Sequence, residues 1–154
     1  MKIIFIAFIL SKLIEVEVFD LIPQRENGYA LVLKEINSNS LLLISIGENE
    51  GVSILRELNK MESKRPLTYE LINNIIEKLG AKIEKVTIDK FENETFYANI
   101  HLKQGNRKIM IDSRPSDAIN LAIRKKVKIY VEEKIFEKMK IELKEEEKKK
   151  EFKL

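Results

Sequence analysis

Ile14, Val16 and Val18 alternate with Glu15 and Glu17, the period of two that turns one face of a strand inward and the other to water. Two further apolar runs, 29–33 and 41–46, flank Asn37-Ser38-Asn39-Ser40, whose short polar side chains bond their own backbone and favour a turn. That pattern predicts a hairpin. After Gly47 the period becomes helical: Val52, Leu55, Leu58 and Met61 recur behind Glu48 and Glu50, which suit the positive end of a helix dipole. A second helix is predicted from Thr68 as N-cap, with Leu71, Ile72, Ile75, Ile76 and Leu79 on one apolar stripe and Gly80 closing it at C′. Strands follow at 83–88, 95–102 and 108–111, broken by Glu92-Asn93-Glu94 and Gln104-Gly105-Asn106, the pattern of an antiparallel meander. Pro115 suits the first turn of a short helix through about Arg124, with Ala118, Leu121 and Ala122 inward. A brief strand at 129–131 and a helix over 135–143 complete the series.

These elements predict an α+β fold: a single compact domain with a mixed, mainly antiparallel sheet packed with three to four helices. The expected divisions are an apolar extension over 1–13, the domain over 14–143 and a charged tail over 144–154, where Lys and Glu alternate at helix-pair spacing. A length of 154 residues agrees with one domain, and 44% hydrophobic residues supply one core. The apolar run at 3–10 behind Lys2 has eight residues, against the roughly 20 that span a bilayer. It is expected to be a buried strand or start-site extension of a cytoplasmic protein with no stable membrane span. A signal peptide or anchor in residues 1–13 is the second reading.

Composition narrows the chemistry. With no Cys there is no thiolate metal site and no cysteine nucleophile, and the single His101 excludes paired-imidazole catalysis within one chain. Carboxylates must carry any acid, base or metal role. His101 falls with Tyr97 and Asn99 on the polar side of its strand, where an exposed histidine is expected. A net charge of +3 permits nucleic-acid binding without demanding it. Lys60, Lys64, Arg65, Arg124, Lys125, Lys126 and Lys128 offer either a phosphate-binding surface or ordinary solvated faces.

The densest candidate is the segment Ile111-Asp112-Ser113-Arg114-Pro115-Ser116-Asp117-Ala118, where a strand ends, a charged turn follows and a helix begins. Free N–H groups at the helix start attract phosphate, Arg114 can grip one bidentately, and Asp112 with Asp117 can hold a divalent cation. Architecture explains the same residues: Asp117 on the helix dipole, Ser113 or Ser116 as caps, Asp112 paired with Arg114. Both readings stand on the residues alone.

IDSRPSDAINLAIR, with RPLTYELINNIIEKLGAKIEKVTI upstream, TFYANIHL between and SIGENEGVSI before all three, resembles the bifunctional nuclease domain family over roughly 14–143. The resemblance implies a compact α+β domain that often self-associates, here as a homo-oligomer with a dimer favoured. It also implies nuclease activity on DNA or RNA, a property of some members, especially in plants. Carried over by position, the family's acidic residues fall on Glu48 and Glu50, its Arg-Pro-Leu-Thr block on Arg65 to Thr68, and its strand-turn-helix block on Asp112 to Asp117. Many relatives have His after that Arg-Pro-Leu-Thr block; this chain has Tyr69. The expected site is thus a metal-assisted phosphodiesterase. Asp112, Asp117 and Glu48 are catalytic, Asp112 and Asp117 hold Mg²⁺ or Mn²⁺, and Arg65, Arg114 and Ser116 bind phosphate. The alternative is a non-catalytic regulatory module that binds nucleic acid, nucleotide or protein through the same turn.

Overall fold

The alternating segment at the front of the chain forms β1 (Leu13–Pro23), longer than its clean pattern because a register shift between Val18 and Asp20 carries the strand onward. The computed structural model describes residues 12–143; the apolar run at 3–10 and the tail at 144–154 lie outside the described residues. The expected hairpin is present as β2 (Tyr29–Glu35) and β3 (Ser40–Ile46). α1 (Glu48–Leu58) and α2 (Thr68–Lys78) follow, and then the expected meander: β4 (Ala81–Glu92), β5 (Thr95–Gln104) and β6 (Arg107–Ser113). α3 (Pro115–Lys125), β7 (Lys128–Glu132), α4 (Glu133–Met139) and β8 (Ile141–Glu142) end the described chain. All eight strands join one sheet in the order β6-β5-β4-β7-β1-β2-β3-β8. Every adjacent pair is antiparallel except β4 and β7. The fold is α+β, as the pattern predicts.

One face of the sheet and the inward sides of α1, α3 and α4 share a core that includes Val16, Leu33, Ile54, Val86, Ile100, Ala118, Leu121 and Phe136. Burying such side chains supplies the main stabilising term. Within β5 the alternation is strict: Ala98, Ile100 and Leu102 are buried in that core, while Tyr97, Asn99 and His101 occupy the opposite face.

The helices depart from the sequence expectation in instructive ways. In α1 the buried residues are Gly51 and Ile54, with Val52, Leu58 and Met61 exposed. Gly51 sets that rotation, because a Cβ there would lie 2.1 Å from the Tyr29 ring. Only a residue without a side chain lets the helix sit this close to β2. In α2 the expected stripe is split: Ile72 and Ile76 pack against the core, but Leu71, Ile75 and Leu79 are exposed. Leu67, not Thr68, is its N-cap, and the Leu67 N–H donates to Glu70 at 2.9 Å. Gly80 takes the positive φ (+74°) expected of a C′ glycine. The helix expected over 135–143 ends at Met139, because Ile141–Glu142 pairs with Ser40–Leu41 as an edge strand. Among the described residues no helix is long and apolar enough to cross a membrane.

Candidate functional site

β6 ends at Ser113 and α3 starts at Pro115, so Arg114 makes the turn as N-cap with proline at the first helical position. Asp117 follows in the first turn, and its carboxylate meets the guanidinium twice: Nε to Oδ2 at 2.7 Å and Nη2 to Oδ1 at 2.9 Å. Nη1 of the same group lies 2.9 Å from Glu50 Oε1 on α1. Two of its N–H donors thus bond Asp117, and an ion pair joins it to Glu50. The Arg114 side chain is 63% exposed, whereas Glu50 is 18% exposed and Asp117 28%. Partly buried carboxylates thus hold an outward-facing cation in one orientation.

Tyr69, in the first turn of α2, donates its hydroxyl to Asp117 Oδ1 at 2.7 Å. Burial, reinforced by that bond to a carboxylate, pushes the phenol's pKa well above its ordinary value. The group therefore stays protonated and acts as a donor, never as a base. Both Asp117 oxygens are occupied, by Arg114 and Tyr69. Only one Glu50 oxygen is, and no partner engages Oε2 among the described residues. The Arg114 pKa is raised further by its hydrogen bond to Asp117 and then by Glu50, so its charge is permanent.

Asn120 ties these helices together. Fully buried in α3, it donates through Nδ2 to the Ser116 carbonyl at 3.0 Å and to the Glu50 carbonyl at 3.4 Å. This fixes Glu50 beside the start of α3. The result is a cleft of about 520 Å³ whose lining includes Glu50, Ser53, Arg56, Thr68, Tyr69, Arg114 and Asp117. Arg56 enters from the last turn of α1, half-buried, and it forms no ion pair among the described residues. Its Nε is buried without a partner. Sequence reasoning missed Arg56, since nothing in its spacing separates it from a surface arginine.

Other expected site residues lie elsewhere. Asp112 pairs in register with Asn99 and so faces the side of the sheet opposite the core and α3. The expected pocket shared by Asp112 and Asp117 is not formed. The signal was present in the chain: Ile109 and Ile111 alternate on the side that pairs with Leu102 and Ile100, although Ile111 is itself exposed, so Asp112 points away. Glu48 is exposed at the first position of α1 and does not line the cleft. Arg65 is exposed in the loop between α1 and α2. Ser116 is buried, 5% exposed, with its carbonyl on Asn120, and lines a different cleft. Of the basic positions, Arg124 binds Glu57 and Glu70, the latter at 2.7 Å; Lys125 pairs with Glu77 and Lys128 with Glu15. These ions knit elements together and do not form one free patch. His101 is half-buried, with Nε2 2.9 Å from the Thr87 hydroxyl, in place of the exposed histidine expected.

Mg²⁺ or Mn²⁺ requires several oxygen ligands around one point. Among the described residues no three Asp, Glu or His side chains converge in that way. The two carboxylates of the cleft both face the Arg114 cation.

The cleft of this α+β domain is lined by a fixed guanidinium, a second arginine and hydroxyl residues. The chain belongs to the bifunctional nuclease domain family, whose model matches residues 31–144. It is similar to an uncharacterized protein of Mycobacterium tuberculosis, with 38% identity over 74% of this chain and 68% of the relative. It is also similar to bifunctional nuclease 1 of Oryza sativa subsp. indica, with 35% identity over 70% of this chain and 34% of the relative. Bifunctional nuclease 1 of Arabidopsis thaliana is 34% identical over 66% of this chain and 33% of its own length. The chain spans about a third of those plant proteins.

Proposed function

We propose that this domain binds nucleic acid by its phosphodiester backbone in the Arg56–Arg114 cleft and hydrolyses that backbone. The observation that carries the reading is the Arg114 clamp. Two partly buried carboxylates orient an exposed guanidinium whose remaining N–H donors face the cleft's ligand. Family membership and the plant relatives named bifunctional nuclease support the reaction class.

In this reading Arg114 and Arg56 neutralise the non-bridging oxygens of one phosphodiester, on which negative charge grows as water attacks phosphorus. Glu50 takes the water's proton on Oε2, while Oε1 stays on Arg114, as the P–O bond to the leaving sugar oxygen breaks and that oxygen picks up a proton from solvent water. Asp117 has both oxygens occupied and serves as a positioning residue, held in turn by the Tyr69 hydroxyl. Tyr69 stands directly after the Arg-Pro-Leu-Thr block. Its protonated phenol keeps the orienting bond and gives up any role as base. Roles thus move from the Asp112, Asp117 and Glu48 set expected from sequence to Glu50 and the two arginines.

The test is cleavage of end-labelled single-stranded DNA and RNA by the purified chain and by Glu50→Gln, each with EDTA, Mg²⁺ or Mn²⁺. Cleavage by the parent and loss of about 10²-fold or more in Glu50→Gln is expected, the usual scale for removing a general base. Salt-dependent binding without cleavage under every metal condition would replace the nuclease reading with the regulatory-module reading.

A further inference from the structure

Arg114 lines two clefts. It also borders a groove of about 480 Å³ between the end of β3 and the tip of the β4–β5 hairpin. The groove is walled by Phe91 and Phe96, whose ring centroids lie 4.5 Å apart at 44°, and its rim carries the hydroxyl residues Ser45 and Thr95. Both rings pack against the core on one side, so their position is set by the fold rather than by a ligand. The hairpin that carries them turns tightly at Asn93 and Glu94, both at positive φ (49° and 58°), as a two-residue turn requires. The Lys138 ammonium stands 5.9 Å from the Phe91 centroid, a second cation beside the groove. Phosphate chemistry alone leaves this groove unexplained, because an anion has no use for two phenyl rings.

The geometry points to a nucleobase site: the groove takes one unstacked base of a single-stranded nucleic acid, against Phe91 and Phe96, while Arg114 holds the adjoining phosphate. The inference rests on the phosphate reading above and adds a substrate class to it. Aromatic platforms next to a cation are how single strands are held without strict sequence choice, since every base offers a π-face. The volume lies within the range of small-molecule sites, and its mixed lining of rings and hydroxyls matches a base with polar edges. A duplex keeps its bases stacked inside and cannot fill the groove without opening. Single strands are therefore the preferred substrate, and the shared arginine fixes which phosphate lies beside the held base.

The experiment measures fluorescence anisotropy of the full chain with three labelled probes: an oligothymidylate of about 12 nucleotides, its duplex, and an abasic sugar–phosphate chain of the same length. The single strand should bind about 10-fold or more tightly than the abasic chain, the scale of one aromatic stack. Phe96→Leu, which keeps apolar volume but loses the ring, should bring the oligothymidylate down to the affinity of the abasic chain. Because Phe96 is partly buried, Phe91→Leu, which removes the other ring, is measured beside it with urea midpoints for both, and it should do the same. Equal affinity for base-bearing and abasic chains, or no response to either variant, overturns the base site. If Arg114→Ala still weakens both probes in that case, the phosphate reading survives. No binding of any probe overturns the phosphate reading as well.

Discussion

Arg114 and Arg124 stand at the two ends of α3, and each is gripped by two carboxylates, one of them on α1. Their surroundings differ. Arg124 is 25% exposed and joins Glu57 of α1 to Glu70 of α2, so three helices meet on one cation. Arg114 is 63% exposed, takes Asp117 from its own helix, and opens on a cleft that holds a second arginine with no ion pair among the described residues. The same ion-pair chemistry thus yields architecture where the cation is enclosed and a ligand site where it is presented. Burial, not the list of partners, separates the two.

The largest effect should come from Arg124→Ala. It leaves Glu57 and Glu70 partly buried without their cation, and an expected loss of about 2–4 kcal/mol follows. Urea denaturation checks this through a lowered midpoint at constant slope. In the same measurement Arg114→Ala should cost under about 1 kcal/mol, because an exposed cation contributes little to stability. If Arg114→Ala proves the more destabilising, the comparison fails.

Next in size are the carboxylates five residues apart. Asp117→Asn should weaken oligonucleotide binding, since a neutral amide cannot hold Arg114 by two charged hydrogen bonds; loss of one such bond corresponds to about 1.5–3 kcal/mol. Asp112→Asn, on the opposite face of the sheet, should leave binding as it was. Titration of both variants with one labelled strand distinguishes them, and a loss confined to Asp112→Asn would return the site to the β6 face.

Tyr69→Phe should produce a smaller change, about 0.5–1.5 kcal/mol, by removing one hydrogen bond to Asp117. It should not shift the pH dependence of cleavage, because the phenol is protonated throughout the working range. An altered profile in Tyr69→Phe would mean that the phenol titrates. The smallest effect concerns His101, whose pKa is held below the ordinary value by burial and by Lys85, against Asp89 and Glu84. As pH falls through the unfolded value near 6.5, the unfolded chain takes up a proton that the native histidine resists, so stability present above that pH declines below it. Denaturation midpoints at about pH 7.5 and 5.5 should converge in His101→Gln relative to the parent; an unchanged difference would show that other groups cause it.

Local patterns carried most of the fold. Strict alternation at 14–18 and the Asn-Ser turn at 37–40 mark β1 and the β2–β3 hairpin, and Pro115 with Asp117 marks the helix start and the Arg114 clamp at once. What escaped was set by packing between distant segments. Glu50 reaches Arg114 because Gly51 lets α1 settle on Tyr29 and Asn120 binds the Glu50 carbonyl, and neither contact has a signature along the chain. Arg56 and Arg124 look alike in sequence; only the assembled helices pair Arg124 with two carboxylates and set Arg56 in the cleft. Asp112 was legible in principle, since the period of two in β6 already turned it from the core.

The most direct test of Arg114 as a presented phosphate ligand is the salt dependence of binding a labelled single-stranded oligonucleotide, compared between the parent chain and Arg114→Ala. Losing one phosphate contact should lower affinity about 10-fold or more and reduce the slope of log affinity against log salt by roughly one. An Arg114→Ala protein that folds normally and keeps both the affinity and the slope of the parent would contradict the account.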